Sequence, residues 1–301
     1  MGRGPHHLLV ISYRGHRSGT MPGRFFNFVY CIASMRIADF QEIVWDYYRA
    51  HARPMPWRDK PTPYNVVVSE FMLQQTQVDR VRPKFEAWVE KWPDFASLAE
   101  ASTEDVLRFW KGLGYNRRAL RLQAVSQRVQ AEFGGVLPKD IETLQIFDGI
   151  GPGAAGAIVA YAFNQPAVFI ETNIRRVFLH HFFADREGVT DKEILPFIAE
   201  AVDREHPREW CWALMDYGTF LKTQVVNPNR RSKHYARQSK FEGSHRQLRG
   251  IILDQVLETG YVMLGDKIIG FENSDVERVC NELAHEGFLE AQGDRFTMKK
   301  V

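Results

Sequence analysis

The stretch of sequence that decides the fold reads LQIFDGIGPGAAGAIVAYAF and covers residues 144–163. Its apolar spacing predicts one helix that ends at Phe147 and a second that begins at Ala154. The glycines between them permit a tight hairpin, at which the backbone can approach a partner closely. The free amide groups and the positive dipole end of the second helix suit a phosphate group. A plain glycine-rich turn would have a similar composition. Because matching helices flank this hairpin and an acid follows it, we predict phosphate contacts at Gly149, Gly151, Gly153 and Ala154.

The whole chain has the composition of an ordinary globular protein. Its 301 residues are 45% hydrophobic and 25% charged, which is enough for one large domain or two to three small ones. The formal net charge is only +2, so a nucleic-acid partner would have to be recognised by local basic clusters. The three cysteines are far apart and odd in number, which excludes a complete disulfide framework. With no apolar run long enough for a membrane span, we expect a cytoplasmic protein, associated with the nucleoid in a bacterium.

Helical spacing of apolar residues dominates the chain and predicts an all-α body with short connections. The predicted helices cover residues 39–50, 66–81, 95–99, 103–110, 117–133, 141–147 and 172–183. Residues 53–63 are rich in proline and predict a loop, and Pro83 predicts a break just beyond a helix. Residues 1–38 hold arginines but no Asp or Glu, which is typical of a basic, disordered extension.

The last part of the chain has a different pattern. Helical spacing covers residues 246–258 and 274–286, and the segment 261–271 between them fits a strand or a small helix. Alternation around the Gly293-Asp294 pair then predicts a two-stranded hairpin. Helices followed by such a wing predict a small winged-helix-like module at residues 246–301, which either contacts a nucleic acid or packs as an appendage.

A basic segment, residues 227–245, separates this module from the helical body. From position 227 to Arg249 the chain holds seven Lys and Arg residues against one acid, Glu242. A solvated charged linker would have this composition, but such charges also follow a phosphate backbone. We favour phosphate contacts, made by Arg230, Arg231, Lys233 and Lys240.

Three blocks of sequence carry a family resemblance. The hairpin stretch continues as NQPAVFIETNIRRV over residues 164–177. It is preceded by PWR at 56–58 with TPYNVVVSEFMLQQTQV at 62–78, and by WKGLGYNRRA at 110–119. Together these blocks resemble the helix-hairpin-helix (HhH-GPD) superfamily of DNA glycosylases, and its adenine mismatch glycosylase branch in particular. The resemblance covers roughly residues 40–221.

The resemblance implies a fold of two helical subdomains, one from residues 62–165 and one from residues 39–61 with 166–226. It also implies a monofunctional DNA N-glycosylase of base excision repair, which flips a base out of the duplex and hydrolyses its N-glycosidic bond with the help of an acid. Adenine in a mismatch is the first candidate base, with hypoxanthine or uracil as the alternative. A non-catalytic DNA-binding or regulatory protein that retained the fold is the alternative from another class. The expected partner is double-stranded DNA with a mismatched or damaged base, bound by a monomer.

Two carboxylates are the candidate catalytic residues. Glu70 lies in a strongly apolar helical segment, where partial burial raises the pKa of a carboxyl and favours a general acid. The resemblance assigns to it the protonation of a purine ring nitrogen. Glu171 precedes a helix whose N-terminus would hold it anionic, and the resemblance gives this position, normally Asp, the stabilisation of a cationic sugar. A helix cap would equally explain an acid at Glu171.

The resemblance also implies residues around the extruded base. Gln75 matches the residue that inserts where the base leaves, and Tyr115 matches the aromatic that wedges beside the opposite base. Core packing is an equally weighted alternative for Tyr115 and Trp57. The predicted surroundings of the base are Met55, Trp57 and Arg58, and Asn173 either supports Glu171 or caps a helix.

Three departures from the family change the expected chemistry. Gly153 stands where bifunctional relatives have a Schiff-base lysine, so weak or no lyase activity is expected. Most relatives hold a four-iron cluster on four cysteines after a segment like MDYG at 215–218. The corresponding positions here are Lys222, Asn229, Ser232 and Gln238, so neither this cluster nor another cofactor is expected. The C-terminal module is too short for the nudix-like domain with which relatives read 8-oxoguanine, so recognition of that base is not supported.

Overall fold

The computed structural model describes residues 35–236 and 240–299, and within these ranges the chain is mainly helical, as expected. Its helices are α1 (Ile37–His51), α2 (Pro56–Asp59), α3 (Pro63–Leu73), α4 (Val78–Lys91), α5 (Phe95–Ala99), α6 (Thr103–Trp110), α7 (Arg117–Phe133), α8 (Ile141–Leu144), α9 (Pro152–Phe163), α10 (Thr172–Phe182), α11 (Asp191–Ala201), α12 (Pro207–Gln224), α13 (His245–Thr259) and α14 (Asn273–His285). A short 3-10 helix covers Pro228–Arg231, and the strands are β1 (Val262–Met263), β2 (Leu289–Gln292) and β3 (Arg295–Met298).

The described residues form two compact units. The first consists of residues 35–53 and 168–235, and the second of residues 54–167 with 236 and 240–299. In the first unit, α10 and α1 both pack against α12. Buried aromatic rings fill this contact, with the centroid of Phe40 at 5.0 Å from that of Phe178 and 6.0 Å from that of Trp210. This packing holds α10, whose N-terminal cap is Glu171, against α1 and α12.

In the second unit, α3 is the helix on which the others are arranged. It packs against α4, α7 and α9, and most of its residues are buried. The indole of Trp88 on α4 donates to the hydroxyl of Tyr64 on α3 at 3.2 Å and packs against Trp110 at a centroid distance of 5.6 Å. Because α3 carries Glu70, this core holds the candidate acid on a rigid element.

The single helix expected over residues 66–81 is wrong, because the chain forms two helices there. After α3, Gln75 takes a left-handed backbone conformation with φ of 56°, and α4 begins at Val78. Pro83, expected to mark a break, lies inside α4. Pro83 lies on the exposed face of α4, whereas Val81 and Phe85 are buried on the opposite face. Burial of these apolar side chains offsets the loss of the one backbone hydrogen bond that a proline removes.

Smaller boundaries also differ from expectation. The presumed loop 53–63 contains α2, which begins at Pro56, a position where proline costs no hydrogen bond. The helix expected over 141–147 ends at Leu144, and residues 145–150 continue as short turns. Residues 37 and 38, assigned to the basic extension, begin α1, and the extension's first 34 residues lie outside the described ranges.

The C-terminal module, residues 245–299, has the helix, strand, helix and hairpin order expected of a winged helix. Helices α13 and α14 pack together, and the strands form an antiparallel sheet in the order β1-β3-β2. The hairpin turns at Gly293, with Gln292 opposite Arg295. Only Val262 and Met263 of the segment 261–271 form a strand. Nowhere in the two described ranges does a helix reach the length and apolar character needed to cross a membrane.

Candidate functional site

Glu70 is a partly exposed carboxylate on an otherwise apolar helix. Its neighbours Ser69 and Phe71 are buried, as are the preceding valines of α3. Thr62 caps this helix, since its hydroxyl accepts a hydrogen bond from the backbone amide of Asn65 at 3.2 Å. The helix ends three residues after Glu70, so the carboxyl group stands near its C-terminal end. The setting is that of a carboxyl among apolar groups, which suits a general acid.

The turn after α3 presents Gln75. Gln75 is exposed and has a positive φ of 56°, a conformation that side-chain-bearing residues rarely adopt. The amide nitrogen of its neighbour Gln74 donates to the carbonyl oxygen of Gly149 at 3.3 Å. Gly149 has φ of 92°, and a Cβ atom there would lie 2.9 Å from the ring of Phe71. This turn and the glycine-rich hairpin are therefore held against each other.

The segment of residues 111–117, a loop that ends at the first residue of α7, presents Tyr115 in the same unusual conformation. Its φ is 49° and its side chain is 38% exposed, which is high for a tyrosine in a core. Among the described residues, only Gln75, Tyr115 and Asn164 are non-glycine residues with positive φ. Because such strain clusters at functional sites, its presence at two residues singled out from the sequence supports a role for both.

A buried arginine that the sequence did not reveal joins these two turns. The guanidinium of Arg118 donates five hydrogen bonds, to the carbonyl oxygens of Phe71 (2.6 Å), Met72 (3.0 Å), Leu113 (3.1 Å) and Gly114 (2.9 Å), and to the hydroxyl of Thr76 (3.0 Å). It also lies 5.6 Å from the ring centroid of Tyr115. Burial lowers the pKa of Arg118 to about 10. Three of its five acceptors lie 42 to 47 residues away in the sequence, so no local motif signals that it joins the two turns.

The glycine-rich hairpin has the end of a helix available for an anion. Helix α9 begins at Pro152, two residues earlier than expected, with Gly151 as its N-terminal cap. Gly151 is exposed, and Gly153 and Ala154 in the first turn are partly exposed. Their backbone amides are among those that lack a partner within the helix, so the geometry suits a phosphate group.

The residues expected around the base are unequally exposed. Met55 and Trp57 are buried, with exposed fractions of 4% and 7%. The Trp57 ring packs edge-on against Phe85 at 5.4 Å, which is an ordinary core contact. Arg58 is partly exposed, and its backbone amide donates to the carbonyl of Met55 at 2.8 Å. Of the three, Arg58 is the one whose side chain reaches solvent.

Glu171 is the N-terminal cap of α10 in the first unit. Its Oε1 accepts hydrogen bonds from the backbone amides of Asn173 (2.5 Å) and Ile174 (2.6 Å). Burial raises the pKa of the Glu171 carboxyl, while these amides and the nearby Arg176 and Arg175 act in the opposite direction. The helix end therefore supplies the donors expected for an anionic carboxylate, while burial acts against them. The backbone amides favour the charged carboxylate, but the free-energy cost of removing that charge from water is larger than their effect.

Asn173 connects Glu171 to a buried arginine. Its Nδ2 lies 3.5 Å from Glu171 Oε2, and its Oδ1 accepts from Arg176 Nη1 at 2.6 Å. Arg176 also donates to the carbonyl of Gly218 at 2.7 Å. A Cβ atom at Gly218 would lie only 2.6 Å from the carbonyl oxygen of Asn173, so glycine allows α12 to approach α10 this closely. The MDYG segment thus positions the end of α10 that carries Glu171.

The basic segment is anchored by its backbone. Val189 donates to the carbonyl of Arg231 and accepts from the amide of Lys233, both at 2.9 Å. Arg230, Lys233 and Lys240 are exposed, and Arg231 is partly exposed. Within the ranges that the structure describes, the side chains of these four residues form no ion pair with a carboxylate, so their charges face solvent.

The positions that match the cluster ligands of relatives do not fit an iron–sulfur cluster. Asn229 and Ser232 are buried, and Asn229 Nδ2 donates to the carbonyl of Thr172 at 2.9 Å. Lys222 is exposed, and Gln238 lies outside the described residues. Amide, hydroxyl and ammonium groups cannot replace thiolates as iron ligands. No group of three or more His, Cys, Asp or Glu side chains in residues 35–236 and 240–299 is arranged to hold a metal ion.

Comparison with known proteins identifies the family. Residues 68–202 match the HhH-GPD superfamily of base excision DNA repair proteins. The chain is 34% identical to the adenine DNA glycosylase of Mycobacterium tuberculosis over 244 residues, which cover 72% of this chain and 78% of that protein. The chain therefore belongs to the HhH-GPD superfamily, as the three sequence blocks predicted.

Within this superfamily the chain is a DNA glycosylase. It is also 34% identical to the adenine DNA glycosylase of Homo sapiens over 199 residues, which cover 62% of this chain and 36% of that protein. A solved structure described as a thermostable thymine-DNA glycosylase superposes with a TM-score of 0.57 at 20% identity, covering 65% of this chain and 90% of that one. This last likeness shows the shared fold, while the two sequence relatives are both adenine enzymes.

Proposed function

We propose that this DNA glycosylase removes adenine from mismatched pairs in double-stranded DNA and leaves the sugar–phosphate backbone uncut. The observation that carries the proposal is the arrangement at the end of α3. Glu70 stands on that helix, Gln75 follows it in a left-handed conformation, and Arg118 joins this turn to the loop that presents Tyr115. The names of the two sequence relatives support adenine as the base.

Glu70 acts as the general acid in this proposal. Proton transfer from its carboxyl to a ring nitrogen lets adenine leave as a neutral molecule and not as an anion, which makes it a better leaving group. The bond between the base and C1′ of the sugar then breaks, its electron pair leaves with the base, and the sugar becomes a cationic oxocarbenium ion. Glu171 in its anionic form stabilises that cation. A water oxygen then bonds to C1′ and passes a proton to the Glu70 carboxylate, which restores the acid.

Gln75 and Tyr115 fill the space that the flipped base leaves. Extruding a nucleotide breaks stacking and pairing on both strands, and inserted side chains replace part of what is lost. Both residues are exposed and already hold unusual backbone conformations in the free protein. We refer to residues 111–117, which present Tyr115, as the wedge loop.

The absence of an amine at Gly153 supports a monofunctional reaction. A Schiff-base lyase needs an amine that can attack C1′, and glycine has no side chain to do so. Gly153 instead belongs to the first turn of α9, where its backbone amide can donate to a DNA phosphate group. We further propose that no iron–sulfur cluster is needed, because the residues at the corresponding positions cannot bind one.

One assay tests the proposal. The protein is incubated with a panel of duplexes, each of which carries a single adenine mismatch, hypoxanthine or uracil, and half of each sample is treated with alkali. We expect strand breaks at the adenine mismatches, and only after alkali. Breaks without alkali would contradict the monofunctional mechanism, and breaks confined to hypoxanthine or uracil would replace adenine as the substrate.

A further inference from the structure

The C-terminal module is attached to the wedge loop by ion pairs on both sides of Tyr115. Before it, Lys111 Nζ lies 2.6 Å from Glu258 Oε1 on α13. After it, Arg117 Nη2 lies 2.8 Å from Glu286 Oε1, just beyond α14. Both pairs join residues far apart in the sequence, so the loop and the module are held together by tertiary contacts and not by chain connectivity.

Between these two ion pairs, Arg246 at the start of α13 contacts Tyr115 itself. Its Nη1 donates to the tyrosine hydroxyl at 2.7 Å, and its guanidinium lies 5.7 Å from the ring centroid. Arg118 lies 5.6 Å from the same ring. A second hydrogen bond, from Arg246 Nη2 to the carbonyl of Lys240 at 3.5 Å, ties the arginine to the end of the basic segment. Two guanidinium groups therefore hold one exposed aromatic side chain.

The charges of α14 argue against DNA reading by this helix of the module. It carries Asp275, Glu277 and Glu282, and its one arginine, Arg278, is paired with Asp275 at 2.6 Å and Glu282 at 3.4 Å. A helix with excess negative charge repels the phosphate backbone. Arg246 on α13, by contrast, is directed at Tyr115 of the wedge loop.

We propose that the C-terminal module is a brace for the wedge loop, and that Arg246 is a positioning residue that sets Tyr115 in the orientation needed for insertion. This inference rests on the proposed function, since it assumes that Tyr115 enters the duplex. A wedge whose side chain is already ordered loses less conformational entropy when it inserts. The brace therefore favours the flipping step and has little effect on the initial encounter with DNA, which charges on the protein surface govern.

The test compares four variants and one control variant of the whole 301-residue chain. Arg246→Ala removes the donor and Tyr115→Phe removes the acceptor while keeping the ring. The double variant tests whether the two act together, and Arg246→Lys restores a donor. Arg278→Ala on the same module is the matched control, because its guanidinium pairs only within α14 among the described residues. The readouts are the single-turnover excision rate, the affinity for the duplex, and the fluorescence rise of a 2-aminopurine placed opposite the wedge, which reports unstacking without excision.

We expect Arg246→Ala and Tyr115→Phe each to slow both excision and the fluorescence rise by about tenfold, which corresponds to about 1.4 kcal/mol. The double variant should be no slower than either single one, Arg246→Lys should recover part of the rate, and Arg278→Ala should match the wild type. Affinity should change by less than about threefold in all of them, because phosphate contacts dominate it. Arg246 is partly exposed and its hydrogen bond to Tyr115 lies at the surface, so its variants should also keep a melting temperature close to that of the wild type.

Three results would overturn the brace. One is a double variant with additive losses, which would mean that Arg246 does not act through the hydroxyl of Tyr115. Another is a loss of affinity for Arg246→Ala that shrinks at high salt, which would make Arg246 a phosphate contact. The third is unchanged fluorescence in both single variants. The fluorescence step needs no bond cleavage, so it tests the brace even if the protein excises no adenine.

Discussion

Arg118 shows how one buried side chain controls the position of two exposed ones. Its five hydrogen bonds reach the end of α3, the turn that contains Gln75, and the wedge loop. A planar guanidinium offers donors in fixed directions, and carbonyl oxygens of two separate turns match them. The backbone conformations of Gln75 and Tyr115 are costly in isolation, so they persist because such contacts over-determine them.

At this scale we predict that Arg118→Lys lowers the free energy of unfolding by about 2–3 kcal/mol, because a lysine cannot reach all five acceptors and leaves buried carbonyl oxygens unsatisfied. Excision should slow further than the fall in stability explains, since both inserted residues lose their support. Urea unfolding and single-turnover excision measure the two effects. Arg108→Lys is the matched control, because its half-exposed guanidinium makes one surface ion pair, with Glu104, worth under about 1 kcal/mol. Equal effects of both substitutions would contradict the role of Arg118.

Single residues were predictable where the signal is local. Glu70 stood out because an acid interrupts a run of apolar residues, and the structure places it on the helix expected there. Arg118 and Arg246 did not stand out, because their partners lie far along the sequence, 47 residues away for Phe71 and 131 for Tyr115. From the sequence alone, Arg246 is one of the seven basic residues between position 227 and Arg249, for which we predict phosphate contacts. Only its tertiary contact with Tyr115 indicates a positioning role instead.

Helix packing controls the second candidate carboxylate. The N-terminal end of α10 is held against α12 at Gly218, whose carbonyl oxygen accepts from Arg176. Arg176 in turn holds Asn173, which lies beside Glu171. The close approach of α10 and α12 therefore sets the geometry of the Glu171 carboxylate, although Glu171 itself does not lie in the contact between the two helices.

We predict that Gly218→Ala destabilises the protein by about 1–3 kcal/mol, because the added methyl group would overlap the backbone of Asn173 and push the helices apart. Excision should fall as Asn173 and Glu171 move, and the chemical step should be affected more than affinity for DNA. Denaturant unfolding and single-turnover kinetics are the measurements. Gly250→Ala in α13 is the control, since a methyl group there meets open space and should stabilise the helix by about 0.5–1 kcal/mol. A stable, fully active Gly218→Ala would show that the close contact is not needed.

Helix α10 also carries two histidines that make the first unit sensitive to acid. Burial lowers the pKa of His180 to about 4, with Arg231 adding to the effect, and it lowers the pKa of His181 to about 3, with His180 adding to it. His181 Nε2 lies 3.0 Å from the hydroxyl of Tyr217 on α12. Both rings are therefore neutral in the folded protein at pH values where an unfolded chain protonates them.

The sign of the pH effect follows from these lowered pKa values. Below an unfolded pKa of about 6.5 the unfolded chain binds protons that the folded one does not, so stability falls with acidification until the folded pKa is reached. At pH 5 each histidine should cost about 2 kcal/mol relative to pH 8. We predict that His181→Gln unfolds at a lower urea concentration at pH 8 but loses less stability than the wild type between pH 8 and pH 5. The exposed His51→Gln is the control, and a parallel loss of stability in all three proteins would exclude His180 and His181 as the cause.

For the molecule as a whole, the helical class and the order of helices followed from periodicity, because each amphipathic helix records in its own sequence which face is buried. The bounds of α6 and α7 agreed with expectation, and Ser102 supplies the local N-terminal cap of α6. The division at Gln75 was missed, since its conformation depends on Arg118 and on the hairpin at Gly149. Local signals therefore predicted the elements, and long-range contacts determined the turns that form the site.

The net charge of the whole molecule is only +2, so affinity for DNA must come from a few positions rather than from the general surface. We propose Arg230, Arg231 and Lys233 as three such positions, and the backbone of their segment is anchored to Val189. Each phosphate contact releases counterions, which makes the logarithm of the binding constant fall with the logarithm of salt by about 0.9 per contact. If the basic segment binds phosphates, it contributes measurably to this salt dependence of DNA binding, whereas a solvated linker contributes nothing to it.

We predict that replacing Arg230, Arg231 and Lys233 together by Gln weakens binding and reduces the salt slope by about 2.7. The affinity is measured by fluorescence anisotropy over a series of salt concentrations, with Glu70→Gln in the background to prevent excision. The matched control replaces Arg36, Arg49 and Arg108 by Gln, which changes the net charge equally but removes arginines that already pair with Asp39, Asp46 and Glu104. Its slope should remain that of the parent. If both triple variants reduce the slope alike, general charge and not the basic segment governs binding, and if neither does, the segment is a linker.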